Sequence, residues 1–253
     1  MLKKRKVVIK KKIKKIAKDE DVKEKSTYTK DDVWILMRAY NEENAIKKSI
    51  EDLKANGYKN ILVVDDGSTD KTYEIAKAEN VLIVRHLINL GGGAAFETGR
   101  QILTEIIKAP IIVTFDADYQ HDAKDIEKFI KKINEGYDVV LGSRFLGKAI
   151  NMPLSRKLIL KGGILFTWFI SGIKLTDTHN GLRAFKLDAL KRMKLHFNDF
   201  SYASELLDYI KKLNLKYCEV PVTIRYLGKQ HGQSNFSAII IAIKMILKKL
   251  LFW

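Results

Sequence analysis

From residue 33 onward, short apolar runs alternate with longer stretches whose apolar positions recur every three or four residues. Val33–Met37, Ile61–Val64, Val81–Arg85, Ile111–Phe115 and Val139–Gly142 are too short for helices and rich in branched side chains. That pattern predicts five strands. Helices are expected from Asn41 to about Asn56, over Lys71–Ala78, from the glycines at 91–93 to about Lys108, and over Asp125–Asn134. Asn41 has the chemistry of an N-cap, with Glu42 and Glu43 favourable in the first turn and Gly57 as terminator. Strands that read as unbroken apolar runs are buried on both faces. The alternation therefore predicts an α/β fold, a Rossmann-like, mostly parallel sheet flanked by helices.

In such a sheet, the loops after successive parallel strands gather at the carboxyl edge, where ligands bind. Four of these loops are polar or glycine-rich: Ala39-Tyr40-Asn41-Glu42, Asp65-Asp66-Gly67-Ser68-Thr69-Asp70, Gly91-Gly92-Gly93, and Asp116-Ala117-Asp118-Tyr119-Gln120. Asp116 and Asp118, two residues apart on a backbone leaving a strand, point to one side, and their hard oxygens suit Mg2+ or Mn2+. The glycines permit close backbone approach and offer amides near a helix N-terminus, which favours phosphate. They are consecutive and follow the third strand, so they are not the dinucleotide fingerprint. Singly, each loop also has a plain structural reading as a turn, a helix cap or a packing contact. Together on one edge, they point to a site.

Composition narrows the class. With 253 residues and 46% hydrophobic content, the chain can bury a substantial core. A single cysteine, Cys218, rules out an intramolecular disulfide framework and fits a reducing, cytoplasmic compartment. The net charge is +16, and residues 1–30, with thirteen Lys/Arg against four Asp/Glu, supply +9 of it. Leu2, Ile9, Ile13 and Ile16 can line one face of a short lysine-rich helix, a pattern suited to an anionic bilayer surface and equally to a solvated tail. There is no signal-peptide pattern and no stretch with the length and purity of a membrane span. A basic tail binds nucleic acid weakly whatever its role, so no specific nucleic-acid partner is expected.

The motifs come in the order and spacing of a known family. Tyr40-Asn41-Glu42, Val63-Val64-Asp65-Asp66-Gly67-Ser68-Thr69-Asp70, Asn89-Leu90-Gly91 and Asp116-Ala117-Asp118 in the first half resemble glycosyltransferase family 2. Gly142-Ser143-Arg144, Asp177-Thr178-His179-Asn180-Gly181-Leu182-Arg183, Glu219-Val220-Pro221 and His231-Gly232-Gln233-Ser234 are similar to its dolichol-phosphate mannose synthase-like branch. Arg38 stands where the family usually has proline. The resemblance implies a GT-A fold over residues 31–235 and transfer of a sugar from a GDP- or UDP-linked donor with inversion. It assigns Ala39, Tyr40, Glu42, Asp65 or Asp66, Gly91, Gly92 and Ala117 to the nucleotide sugar. Asp116 and Asp118, with Gln120, go to the Mg2+ or Mn2+ ion. A fixed cation would stabilise charge on the leaving diphosphate.

The second half bears on the acceptor. Leu158–Ile173, preceded by Arg156 and Lys157, is apolar and aromatic, and reads either as a core helix or as an interfacial one. Phe236–Trp253, an apolar run broken by Lys244, Lys248 and Lys249, suits the headgroup level, with a buried helix or subunit contact as the plain alternative. These segments and the basic N-terminus imply peripheral association with a membrane surface, and leave room for a separate small membrane-anchor protein. Arg144, Arg156, Arg183, Arg225, Lys229 and Ser234 are expected around the phosphate of a polyprenyl-phosphate acceptor, with Arg183 also among the catalytic residues. Such an acceptor is already anionic and needs no base. If the acceptor is a saccharide hydroxyl, Glu205 is the expected base, although a helix-terminus or ion-pairing role suits it as well. A different class, a silent nucleotide-sugar-binding subunit of a membrane complex, keeps the donor site without the chemistry.

Overall fold

The computed structural model describes residues 27–227. Its elements are β1 (Val33–Ala39), α1 (Ile46–Ala55), β2 (Asn60–Asp65), α2 (Thr72–Ala78), β3 (Leu82–Arg85), α3 (Gly92–Gln101), β4 (Ile111–Asp116), α4 (Ile126–Asn134), β5 (Val139–Ile150), α5 (Leu154–Ser171), β6 (Arg183–Lys186), α6 (Leu187–Lys191), α7 (Tyr202–Lys212) and β7 (Tyr217–Arg225). All five expected strands are present. The expectations on residues 1–26 and on Phe236–Trp253, Lys229 and Ser234 lie outside the described residues.

The strands form one sheet in the order β3-β2-β1-β4-β6-β5-β7. β1 is parallel to β2 and β4, and β2 to β3. β6 is antiparallel to both its neighbours, β4 and β5, whereas β5 and β7 are parallel. The sheet is thus mostly parallel, with one reversed strand inserted beside β4. Alternate residues of β1 feed two cores. Val33, Ile35 and Met37 pack with Ile46, Ile50 and Leu53 of α1 and with Ile126, Phe129 and Ile133 of α4. On the other face, Leu36 packs with Ala95 and Phe96 of α3 and with Leu206 and Ile210 of α7. This is the period-two burial of a central strand covered on both sides.

Three local expectations are corrected. Asn41 does not cap α1, which begins at Ile46. Its backbone is left-handed, at φ 55°, and its Oδ1 accepts the Thr69 N–H at 2.9 Å, tying the β1 loop to the β2 loop. β5 runs on to Ile150, past an irregularity between Ser143 and Lys148. The apolar helix α5 starts at Leu154, four residues before the expected Leu158. It ends at Ser171, where Gly172 takes a left-handed C-cap at φ 65°.

α5 is inverted relative to an ordinary surface helix. Its buried positions include Thr167 and Ser171 beside Leu160, whereas Leu154, Leu158, Leu165 and Phe169 are exposed, Phe169 by 90%. Among the described residues, no helix is long and apolar enough to cross a membrane.

Candidate functional site

Parallel register sets Arg38 of β1 directly opposite Asp116 of β4, where both strands reach the carboxyl edge. Arg38 Nη2 lies 2.6 Å from Asp116 Oδ1, and His121 Nε2 lies 3.0 Å from Asp116 Oδ2. Both carboxylate oxygens are therefore engaged. Burial alone would raise this acid, but the His121 hydrogen bond and the Arg38 charge hold it well below the usual carboxylate range. Asp118 is different. Its Oδ1 accepts the Gln120 N–H at 3.0 Å, and burial together with the Asp116 charge pushes it up to about 6. Glu42, on the β1 loop, is raised to about 7 by burial and then by Asp118 and Asp116.

The β2 loop separates its two aspartates. Asp65 is fully buried, accepts the Ser68 N–H at 3.1 Å and pairs with Arg85 Nε at 3.0 Å. It supports the loop from behind and, of the two aspartates expected at the nucleoside, it is the one that does not line the cavity. Asp66 reaches the cavity while holding the β3 loop. It accepts the Leu90 and Gly91 N–H groups at 3.0 and 2.8 Å and pairs with His86 at 2.7 Å.

The glycine expectation is corrected in kind. The Gly91 amide goes to Asp66, and the Gly93 amide donates to the Asn198 carbonyl at 2.7 Å. A Cβ at Gly91 would lie 2.3 Å from that same oxygen, and one at Gly93 would lie 2.0 Å from the Phe197 carbonyl oxygen. Gly91 and Gly93 thus admit the 197–198 backbone, whereas an added Cβ at Gly92 would face Arg38. Gly91 and Gly92 still border the cavity, as do Ala39, Tyr40 and Ala117.

The far side of the cavity carries Arg144, Arg156 and Arg183, from β5, α5 and β6. Arg144 is buried, with Nε 2.6 Å from Asp177 Oδ2 and Nη1 2.7 Å from the Tyr226 hydroxyl. Arg183 donates to the carbonyls of Asn180, Ala203 and Thr178 at 3.0, 3.3 and 3.3 Å. His179 borders the same side and is pushed down to about 4 by burial, with Arg144 and Arg183 also disfavouring its charge against the pull of Asp177.

Two expected residues are elsewhere. Arg225 pairs with Asp122 and donates to the His121 carbonyl at 3.1 Å, so it braces the β4 loop and does not face the cavity. Glu205 turns inward from α7. Its Oε2 accepts the His196 and Phe197 N–H groups at 2.9 and 3.2 Å, and its Oε1 lies 2.7 Å from His196 Nδ1. A buried carboxylate spent on backbone amides, and absent from the cavity wall, is not placed to deprotonate an acceptor there.

His121 was missed. It stands in the Asp116 loop, and only the fold of that loop brings its ring back onto Asp116. Arg38 was noted only as a departure from the family pattern.

A hard divalent cation bound through one or two carboxylates, water and substrate phosphates fits this donor set. The fit rests on Asp118, whose repulsion from Asp116 a cation would relieve. Gln120 lines the cavity beside it, and each Asp116 oxygen, already accepting one hydrogen bond, keeps a second lone pair. Among the described residues, no group of three or more His, Cys, Asp or Glu side chains is arranged to hold a metal unaided. The remaining ligands must come from water and the bound molecule. The cavity measures about 480 Å³, room for a nucleotide sugar-sized ligand.

Comparison with known proteins agrees with this geometry. The family model for glycosyl transferase family 2 matches residues 34–194. The chain is similar to the UDP-N-acetylglucosamine–dolichyl-phosphate N-acetylglucosaminyltransferase of Methanococcus voltae. The two are 34% identical over 241 residues, covering 87% of this chain and 95% of the relative. It is also similar to the undecaprenyl-phosphate mannosyltransferase of Micrococcus luteus, 27% identical over 220 residues, covering 83% and 89%. Among solved structures, glucosyl-3-phosphoglycerate synthase of Mycobacterium tuberculosis, in complex with Mn2+, UDP-glucose and phosphoglyceric acid, matches with a TM-score of 0.66. Identity there is 16%, over 86% of this chain and 78% of that one, a likeness of fold.

Proposed function

The chain belongs to glycosyltransferase family 2, in its dolichol-phosphate mannose synthase-like branch, and on that premise we propose that it moves a sugar from a nucleoside-diphosphate donor to a polyprenyl phosphate at a membrane surface. The observation that carries this reading is α5. One helix sends Arg156 into the cavity and leaves Leu154, Leu158, Leu165 and Phe169 exposed on its outside. A phosphate-headed lipid needs both, a cation for the head and an apolar surface continuous with the bilayer. The acids among the lining residues, Glu42, Asp66, Asp116 and Asp118, all lie at or just past the carboxyl ends of β1, β2 and β4. The arginine side offers an acceptor phosphate charge and orientation, and such a phosphate needs no base.

Tyr40, Glu42 and Asp66 border the space for the nucleoside, and Asp118 and Gln120, with Asp116, would hold Mg2+ or Mn2+. That ion supplies positive charge where the leaving diphosphate gains negative charge. Transfer breaks the anomeric C–O bond to the diphosphate and forms a bond to an acceptor phosphate oxygen arriving from the opposite face, which inverts the anomeric centre. Arg144 and Arg183, fixed by Asp177 and by backbone carbonyls, keep the acceptor end pre-organised.

The test is transfer from labelled GDP- and UDP-sugars into a polyprenyl-phosphate-containing lipid extract, with Mn2+ or Mg2+ supplied. Organic-extractable label from one donor is the expected result. Label that stays water-soluble with every donor, despite measured nucleotide binding, overturns the lipid-phosphate acceptor.

A further inference from the structure

Arg38 is a cation built into the donor side at the sheet edge, and its surroundings do not use it up. Nη2 is committed to Asp116 at 2.6 Å, and the guanidinium carbon sits 5.0 Å above the Tyr202 ring of α7. Nε is buried and has no hydrogen-bond partner. Nη1 lies against Gly92, where an added Cβ would stand 3.5 Å away, and the side chain borders the cavity. A guanidinium offers five N–H donors in a rigid fork, so Asp116 and the Tyr202 hydroxyl, which also bonds Arg38, do not use them all. Nη1, beside cavity-lining Gly92, is the nitrogen that an anion supplied by the ligand can reach.

We propose that Arg38 is a resident cation for the donor diphosphate, holding Asp116 with one nitrogen and the diphosphate with the others, so that this chain binds nucleoside diphosphates without a divalent metal. The inference rests on the nucleotide-sugar reading above. The metal then adds to a site that is already partly neutralised, and metal dependence is steeper for turnover than for binding.

The experiment is calorimetric titration of the full chain with UDP and with GDP, in Mn2+ and in chelator, for the wild type, Arg38→Gln and Arg38→Lys. For the nucleotide that binds, the wild-type Kd in chelator is expected within about tenfold of that in Mn2+. Arg38→Gln should weaken chelator binding by about tenfold or more while changing Mn2+ binding by about threefold or less. Arg38→Lys, a point charge without the fork, should keep part of the chelator binding. Retained Mn2+ binding also shows that a variant is folded. The inference is overturned if the wild type binds in Mn2+ but not in chelator, if Arg38→Gln binds as the wild type does in chelator, or if Arg38→Gln loses binding equally in both conditions. No binding of either nucleotide under any condition overturns the donor reading itself, and this inference with it.

Discussion

On the cavity side built from the loops after β1 and β4, Glu42 and Asp118 are pushed up to about 7 and about 6 by burial and by neighbouring carboxylates. On the side built from β5 and β6, Arg144 is clamped by buried Asp177 and Arg183 by three backbone carbonyls. The first side is unevenly balanced: Glu42 and Asp118 are raised by burial and by neighbouring carboxylates, whereas Asp116 is held low by His121 and Arg38. The second is finished, with its cations held in place before any ligand arrives. The difference fits a division of labour. On the proposed function, the donor would bring a cation with its diphosphate to the acidic side, and an anionic acceptor would meet arginines whose orientation is already set.

Breaking the finished side has the largest expected effect on the protein itself. Asp177 receives both the Arg144 N–H and Nε, and also the His179 N–H at 3.2 Å. Asp177→Ala leaves a buried guanidinium without its carboxylate, a loss of about 3–5 kcal/mol. The melting temperature should fall by about 10 °C, followed by circular dichroism. A fall of about 2 °C or less would show that Arg144 finds another partner and that this side is not pre-organised by the pair.

The acidic side is sharpened by pH. An acid whose folded pKa lies above its unfolded value keeps its proton longer in the folded state, so stability falls as pH rises through the interval between the two. For Glu42 that interval runs from 4.5 to about 7. Asp116, held low, is ionised in both states across this range and adds no slope. Asp118, raised from 3.8 to about 6, adds to the fall, whereas His179, lowered from 6.5 to about 4, opposes it up to about pH 6.5. Melting of the ligand-free protein in chelator should therefore decline from about pH 5 to about pH 8, and Glu42→Gln should flatten the decline. A variant curve parallel to the wild type would mean that the acids do not repel across the cavity.

What the sequence made legible was local. Ile111–Phe115 ends abruptly in Asp116 because a buried strand stops where the chain reaches solvent, and the same logic found Asp66 and Glu42. What it hid depends on contacts distant along the chain. β6 has only four residues, and its place between β4 and β5 is decided by pairing across 40 or more positions, as in Val139 with Phe185. β7 contains Pro221, which discourages a strand reading, yet β7 lies at the sheet edge, where a missing N–H is tolerated. The Arg38–Asp116 pair follows from parallel register between residues 78 apart. That Gly91 and Gly93 make room for residues 197 and 198 is hidden because those residues lie a hundred positions downstream.

The smallest effect is expected at Glu205, which belongs to neither side. Its carboxylate closes the 196–197 turn by accepting two backbone N–H groups, and the backbone that follows at 197–198 packs on the α3 glycines. Glu205→Gln keeps one side-chain oxygen as an acceptor. It should lower stability by about 1 kcal/mol, the scale of one altered hydrogen bond. A general base contributes about a hundredfold or more to rate, so its loss could not be mistaken for a small change. Transfer by Glu205→Gln within about threefold of wild type, in the labelled-lipid assay, is therefore the expected result. A hundredfold loss of turnover with donor binding intact would require Glu205 to reach the acceptor after all. The arginine side would then be serving a hydroxyl that must lose a proton, and the contrast between a side completed by its ligand and a side complete in advance would need redrawing around that base.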